Sequence, residues 1–318
     1  MSKVGIVGVG MVGRAAASAM VSRGSCRELV LVDVRREVAE AVALDLLYGI
    51  PTGQPLLIRS GTNADLKDAD LVAITAGANE KSGGATDKSD AQGRLRLLGV
   101  NAGIFQAIVP EVVAAAPQAV LLVVADPPDP LADLTRQLAG HDRVVSTGTF
   151  LDSLRFATHL AQVLGVNPAS VGAQVFGEHG MSEVLVWSAV TVAGVPLADV
   201  LQQRKLDAAT FRSEVESAVR SANINIIAGI GASQYGIGAV TARLTEAILR
   251  DERIVAVVGS YQAADGVTYS LPGVIGAGGV QSVLTPRLNG DEKAALDRSI
   301  ATLQQAVQKL PANAPPNR

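Results

Sequence analysis

Residues 3–17, Lys-Val-Gly-Ile-Val-Gly-Val-Gly-Met-Val-Gly-Arg-Ala-Ala-Ala, place a β-branched run, a glycine turn and a helix-forming stretch in immediate succession. Few sequences limit a fold so strongly. A lone GxGxxG says little, but here each glycine has a task. Gly8 permits the tight turn, Gly10 lets the backbone approach a pyrophosphate, and Gly13 allows the helix to pack closely, while the helix N-terminus, with Met11 and Val12, offers free N–H donors. Twenty residues beyond Gly13, the run Glu28-Leu-Val-Leu-Val-Asp33 ends a second strand on a carboxylate, where an acidic side chain binds the adenosine ribose hydroxyls. The spacing predicts a dinucleotide site. Asp33 favours NAD over NADP, and Arg35 and Arg36 leave room for some use of the phosphorylated form.

Through residue 147 the chain alternates short apolar runs (3–8, 28–33, 56–60, 70–75, 119–124 and 143–147) with helical periodicity over 11–23, 36–48, 94–115 and 130–139. That alternation predicts an α/β domain, a doubly wound parallel (Rossmann) sheet with helices on both faces. From 148 the pattern becomes α+β. It comprises a helix over 150–164, strand-like runs at 172–178 and 183–193, long helices near 204–228 and 239–250, two β-rich runs and a last helix over 290–309. The predicted organisation is an NAD-binding domain over 1–147, a catalytic and substrate domain over 148–310, and a flexible polar tail over 311–318.

Composition narrows the function classes. With 27 basic and 30 acidic residues the net charge is −3, and no basic block supplies a nucleic-acid footprint. The single cysteine, Cys26, excludes an intramolecular disulfide and a Cys-based zinc site, so no metal is expected and a reducing cytoplasm is the natural compartment. No cleavable leader is legible, and charged residues are read as interrupting every apolar run before membrane-spanning length, so no membrane partner is expected.

Fold does not name a reaction; side chains do. Gly177-Glu-His179-Gly180 sets an imidazole among glycines between two strand-like runs, a setting for a general acid/base. A structural or surface histidine fits the same four residues. Asp152 and Arg155, three apart in Gly148-Thr-Phe-Leu-Asp-Ser-Leu-Arg, share one helix face. An ordinary intrahelical ion pair would look the same.

Taken with Ile74-Thr75-Ala76-Gly77-Ala78, Arg94-Leu-Arg-Leu-Leu-Gly-Val-Asn101, Trp187-Ser188 and Ser270-Leu-Pro-Gly-Val-Ile-Gly276, these motifs give the whole chain a resemblance to the L-lactate/malate dehydrogenase family. The resemblance implies NAD-dependent hydride transfer at C2 of a small 2-hydroxy or 2-oxo acid. It implies that His179 carries the hydroxyl proton, that Asp152 stabilises the imidazolium, that Arg155 holds the substrate carboxylate in a bidentate fork, and that Arg94 polarises the carbonyl. Thr75, Ala76, Gly77 and Asn101 would join the cofactor site. It also implies a homodimer or homotetramer, with the helix over 36–48 packing across a two-fold axis through Leu44, Leu46 and Leu47. Core packing explains those leucines equally well.

Several positions depart from the family. The stretch between Ala78 and Arg94 is about eight residues longer than the family's lid, and the position that selects the substrate side chain reads Glu80, with Lys81 and Lys88 nearby. Where the family has Asn-Pro, this chain has Asp126-Pro127. Met181 replaces an acidic residue beside the histidine, and Ser233 replaces a threonine. An acidic Asp126 would be repelled by a substrate carboxylate and favoured by a cationic or iminium group. These departures imply a substrate other than plain lactate or malate. Two alternatives remain open: an imine or amino-acid oxidoreductase, and a catalytically silent NAD-binding regulatory protein.

Overall fold

The computed structural model describes residues 2–78 and 93–310, with the backbone alone for residue 52 and for 93–96. The first half runs β1 (Lys3–Val7), α1 (Met11–Arg23), β2 (Glu28–Val32), α2 (Arg36–Gly49), β3 (Leu57–Gly61), β4 (Leu71–Ile74), α3 (Gly93–Ala115), β5 (Val120–Val123), α4 (Pro128–Ala139) and β6 (Val144–Ser146). These six strands are parallel neighbours in the order β6-β5-β4-β1-β2-β3. Because β1 and β4 are adjacent, the crossovers leave in opposite directions there and open a crevice beyond the strand C-termini. The four central strands are almost wholly buried Val, Leu, Ile and Ala, as a sheet covered on both faces requires.

One apolar layer, including Ala16, Ala17, Met20, Leu29, Leu31 and Leu122, lies under α1 and α2. A second, including Val72, Ile74, Phe105, Val109, Leu121 and Val123, lies under α3 and α4. Each large side chain so buried contributes about 1.5–3 kcal/mol.

The second half begins with α5 (Phe150–Leu164) and continues through β7 (Val171–Gly172), β8 (Val175–Phe176), β9 (Val184–Leu185), β10 (Thr191–Val192), β11 (Val195–Pro196), α6 (Leu197–Arg204), α7 (Ala208–Ile230) and α8 (Tyr235–Leu249). It ends with β12 (Ile254–Gln262), β13 (Val267–Gly276), β14 (Gly279–Val283) and α9 (Gly290–Gln308). The last three strands join the first six. β12 meets β6 antiparallel at Gly259 and Ser146, and the ladder goes on through β13 to β14, making one nine-stranded sheet.

Three expectations need correction. The strand-like runs 172–178 and 183–193 break into two-residue pieces, because Gly177 adopts a positive φ of 83° and the chain turns at 180–183. The helix expected near 204–228 is α7 and starts later, at Ala208, where Asp207 caps it by accepting from the Thr210 amide at 2.8 Å; the short helix α6 before it, ended by Lys205 at φ 57°, was not expected. Charged residues do not interrupt every apolar run either. Leu97–Ala115, with a mean hydropathy of 1.6 and Glu111 as its one charge, is long and apolar enough to cross a membrane by length and composition. Its apolarity has a local use, since Leu98, Ala102, Phe105, Val109 and Val112 pack against the sheet.

On α2, Leu44 and Leu47 are about half exposed and Tyr48 is 71% exposed, so core packing does not account for them. Cys26 is buried, and burial pushes its thiol up to about 12.

Candidate active site

At the crevice, one cavity of about 370 Å³ gathers residues that follow five different strands: Gly10, Met11 and Val12 after β1, Arg35 after β2, Thr75 and Gly77 after β4, Asp126 after β5, and Thr147 and Gly148 after β6. From the second half come Leu151 and Arg155 of α5, His179, Asn223 of α7, Ser233 and Ile237. The glycine turn has the geometry read from its sequence. Gly8 has φ 97°, and a Cβ on Gly13 would stand 2.0 Å from the Gly8 carbonyl oxygen, so neither tolerates a side chain. A Cβ on Gly10 would meet nothing within 4 Å, because that residue faces the open cavity.

Gly10 caps α1 without a side-chain hydrogen bond, leaving first-turn amides to a ligand. Thr75 Oγ1 donates to the Gly8 carbonyl at 2.5 Å, bracing the turn from β4. Asp33 stands at the end of β2, its side chain 9% exposed, accepting from the Val9 amide at 2.6 Å and the Arg35 amide at 2.9 Å. Its carboxylate is therefore fixed beside the turn. An anionic pyrophosphate on the α1 terminus with a ribose against Asp33 fits this donor and acceptor set.

Across the cavity, α5 carries Asp152 and Arg155 one turn apart. Asp152 Oδ2 lies 2.5 Å from His179 Nδ1, while its Oδ1 accepts from Arg155 Nη1 at 2.9 Å. Arg155 Nη2 donates to Ser233 Oγ at 3.1 Å. One carboxylate, 3% exposed, thus orients an imidazole and a guanidinium together. With Nδ1 turned to Asp152, proton exchange with a substrate falls to Nε2.

The remaining expected residues divide. Ala76 and Asn101 lie behind the lining. The buried Asn101 amide accepts from the Ala78 amide at 2.7 Å and donates to the Asp126 carbonyl at 2.7 Å, so it ties the loop after β4 to the loop after β5. Met181 is 57% exposed and is not part of the cavity wall. Asp126 does line the cavity, with both carboxylate oxygens shielded from solvent. Glu80, Lys81 and Lys88 lie outside the described residues, as do the tail over 311–318 and the side chain of Arg94. Among the described residues, no group of three or more His, Cys, Asp or Glu could hold a metal ion.

Among the contributors that sequence reasoning missed, Asn223 reaches the cavity from a helix that was expected but carried no site motif, and Asp129 accepts from the His179 amide at 3.0 Å. The Asp-Pro-Pro-Asp spacing was the only local signal for the second.

Comparison with known proteins agrees with this geometry. A family model described as lactate/malate dehydrogenase, NAD binding domain, matches residues 2–146, and one described as lactate/malate dehydrogenase, alpha/beta C-terminal domain, matches 149–313. An L-lactate dehydrogenase of Deinococcus radiodurans is 45% identical, covering 97% of this chain and 99% of that protein. One from Thermus aquaticus is 44% identical over the same shares. The crystal structure of a minor L-lactate dehydrogenase from Enterococcus mundtii, in a ligands-bound form, superposes with a TM-score of 0.90 at 36% identity, covering 98% of this chain and 99% of that one. The chain belongs to the lactate/malate dehydrogenase family and is an NAD-dependent oxidoreductase of 2-hydroxy acids.

Proposed function

We propose that the protein interconverts a small monocarboxylic L-2-hydroxy acid and its 2-oxo acid, and that the observation carrying this is the Asp152–His179 pair facing the same cavity as Arg155 and the glycine turn. His179 Nε2 gives a proton to the substrate oxygen in reduction and takes it back in oxidation. Asp152 stabilises the imidazolium that oxidation produces. Arg155, held in plane by Asp152 and Ser233, grips the substrate carboxylate as a fork. Bound NAD(H) supplies or accepts the hydride at substrate C2. Leu151, Ala232 and Ile237 give the cavity apolar walls that exclude water. Arg94 is assigned to the reacting oxygen on its motif alone. In this scheme residues 1–147 carry the cofactor and 148–310 the substrate.

The relatives named L-lactate dehydrogenase support a small, uncharged substrate side chain, and their names lend nothing to the narrower expectation of a substrate other than lactate or malate. Asp126 in the cavity wall argues against a second substrate carboxylate, hence against oxaloacetate. The same residue favours the second reading, an imino acid whose nitrogen donates to Asp126. The test is NADH oxidation with pyruvate, longer neutral 2-oxo acids, oxaloacetate, and pyruvate with ammonia. Turnover of neutral 2-oxo acids without ammonia is expected. Oxaloacetate as the best substrate, or strict dependence on ammonia, would overturn it.

We also infer a homodimer or homotetramer, supported by the exposed Leu44, Leu47 and Tyr48 on α2, with sedimentation equilibrium as the check. A cytoplasmic setting suits a chain with one buried thiol.

A further inference from the structure

Two aspartates one turn apart in α4 are both buried, and they end in different places. Asp133 is 3% exposed and accepts from the Thr268 amide at 2.9 Å and Thr268 Oγ1 at 2.7 Å, fastening α4 to β13. Asp129 is 1% exposed. Its Oδ2 accepts from the His179 amide at 3.0 Å, and its Oδ1 accepts from Ser146 Oγ at 2.6 Å, which itself accepts from the Gly148 amide at 3.0 Å. β12 makes room for it with a glycine: a Cβ on Gly259 would lie 2.5 Å from Asp129 Oδ1.

Burial pushes both carboxyls up to about 6, so each is ionised at neutral pH at a cost in stability. For Asp133 that charge serves only a staple. For Asp129 it stands behind the imidazole, whose charge draws its pKa back down while Glu178 pushes it up.

We propose that Asp129 is a positioning residue for the reaction, fixing the main chain that carries His179 and placing a second negative charge behind a ring already held by Asp152. The inference rests on His179 being the proton carrier. Asp129 acts on the half of the proton cycle in which the ring is charged: the anion favours imidazolium, and the anchored amide keeps Nε2 aimed into the cavity. The other charged groups around this cluster, Asp126 after β5, Asp152 and Arg155 on α5, and Glu178 on the histidine's own loop, are unaltered in the variants that follow.

The chain has three histidines, His141, His159 and His179, so imidazole NMR of the full-length protein can follow each through a pH titration. In Asp129→Asn the amide oxygen still accepts from the His179 amide, so the anchor is kept while the charge, and the oxygen that accepted from Ser146 Oγ, are lost. The His179 midpoint should fall by about half a pH unit or more, with His141 and His159 unmoved. Asp133→Asn, equally buried, should leave His179 where it is. In NADH-dependent 2-oxo acid reduction, the alkaline limb of Asp129→Asn should move down in the same sense with KM within about threefold. Asp129→Ala, which loses the anchor as well, should lose about tenfold or more in kcat. An unmoved His179 titration in Asp129→Asn, or an equal movement in Asp133→Asn, would overturn the proposal. The NMR arm needs no substrate, so a failure to find a 2-oxo acid that turns over would count against the proposed function and leave this inference decided by the titration.

Discussion

Replacing Arg155 with lysine keeps a positive charge and removes the geometry. The guanidinium is 13% exposed in its side chain and makes two fixed contacts, Nη1 to Asp152 at 2.9 Å and Nη2 to Ser233 at 3.1 Å, so its plane is set before substrate arrives. A lysine ammonium is a single point on a flexible stem. If it stays on Asp152, it gives the substrate carboxylate at most one hydrogen bond and gives Ser233 none. A charge-assisted hydrogen bond is worth about 1.5–3 kcal/mol. Losing one of the two to the substrate carboxylate is therefore worth roughly 10–10² in kcat/KM at about 1.4 kcal/mol per decade. Steady-state reduction of the best 2-oxo acid should show most of that loss in KM, because the carboxylate is gripped in ground and transition states alike. Ser233→Ala, which loosens the fork without removing it, should lose about fivefold. NADH binding, measured by its fluorescence, should be unaffected in both. An Arg155→Lys enzyme within threefold of the parent would refute the fork.

His179→Ala should abolish turnover while retaining NADH affinity, since the ring stands across the cavity from the glycine turn; calorimetric titration with NADH checks the second half. NADH should bind more tightly than NADPH, because the 2′-phosphate would meet Asp33, and Asp33→Ser should narrow the preference by about tenfold or more. Asp133 has a folded pKa of about 6 against an unfolded value near 3.8, so the fold binds the extra proton and its contribution to stability is lost as pH rises from about 4 through 6. Urea midpoints should therefore fall less over that range in Asp133→Asn than in the parent, and equal slopes would contradict the assignment. Cys26 should resist a thiol reagent until denaturant is added.

The glycine turn, Asp33 and the Asp152–Arg155 pair were legible because each rests on local spacing that backbone geometry converts directly into position. His179 was legible from its own four residues only as a candidate, and its pairing with Asp152 came from the family resemblance, since Asp152 is 27 residues away and only packing joins them. The main-chain partners of Asn101 were not legible for the same reason: its amide bonds residues 23 and 25 positions distant. Met181 departs from its expected place for a local reason. Nearness to the histidine in sequence gave it a place in the pocket, and the turn at 180–183 directs it to solvent. The buried aspartates of α4 read as ordinary polar residues at a proline-rich helix start, because nothing local announces that their acceptors' partners come from β6, β13 and the histidine loop.

The seam between the halves is a seam in sequence only. Because β12 hydrogen-bonds to β6 at Ser146 and Gly259, a chain stopped after residue 147 would end on a bare β6 edge lined with buried apolar residues, including Val144 and Val145. Such an edge is a template for self-association. The N-terminal half expressed alone should therefore be insoluble or swapped into dimers, and the intact chain should unfold in one transition, as a single mechanical part.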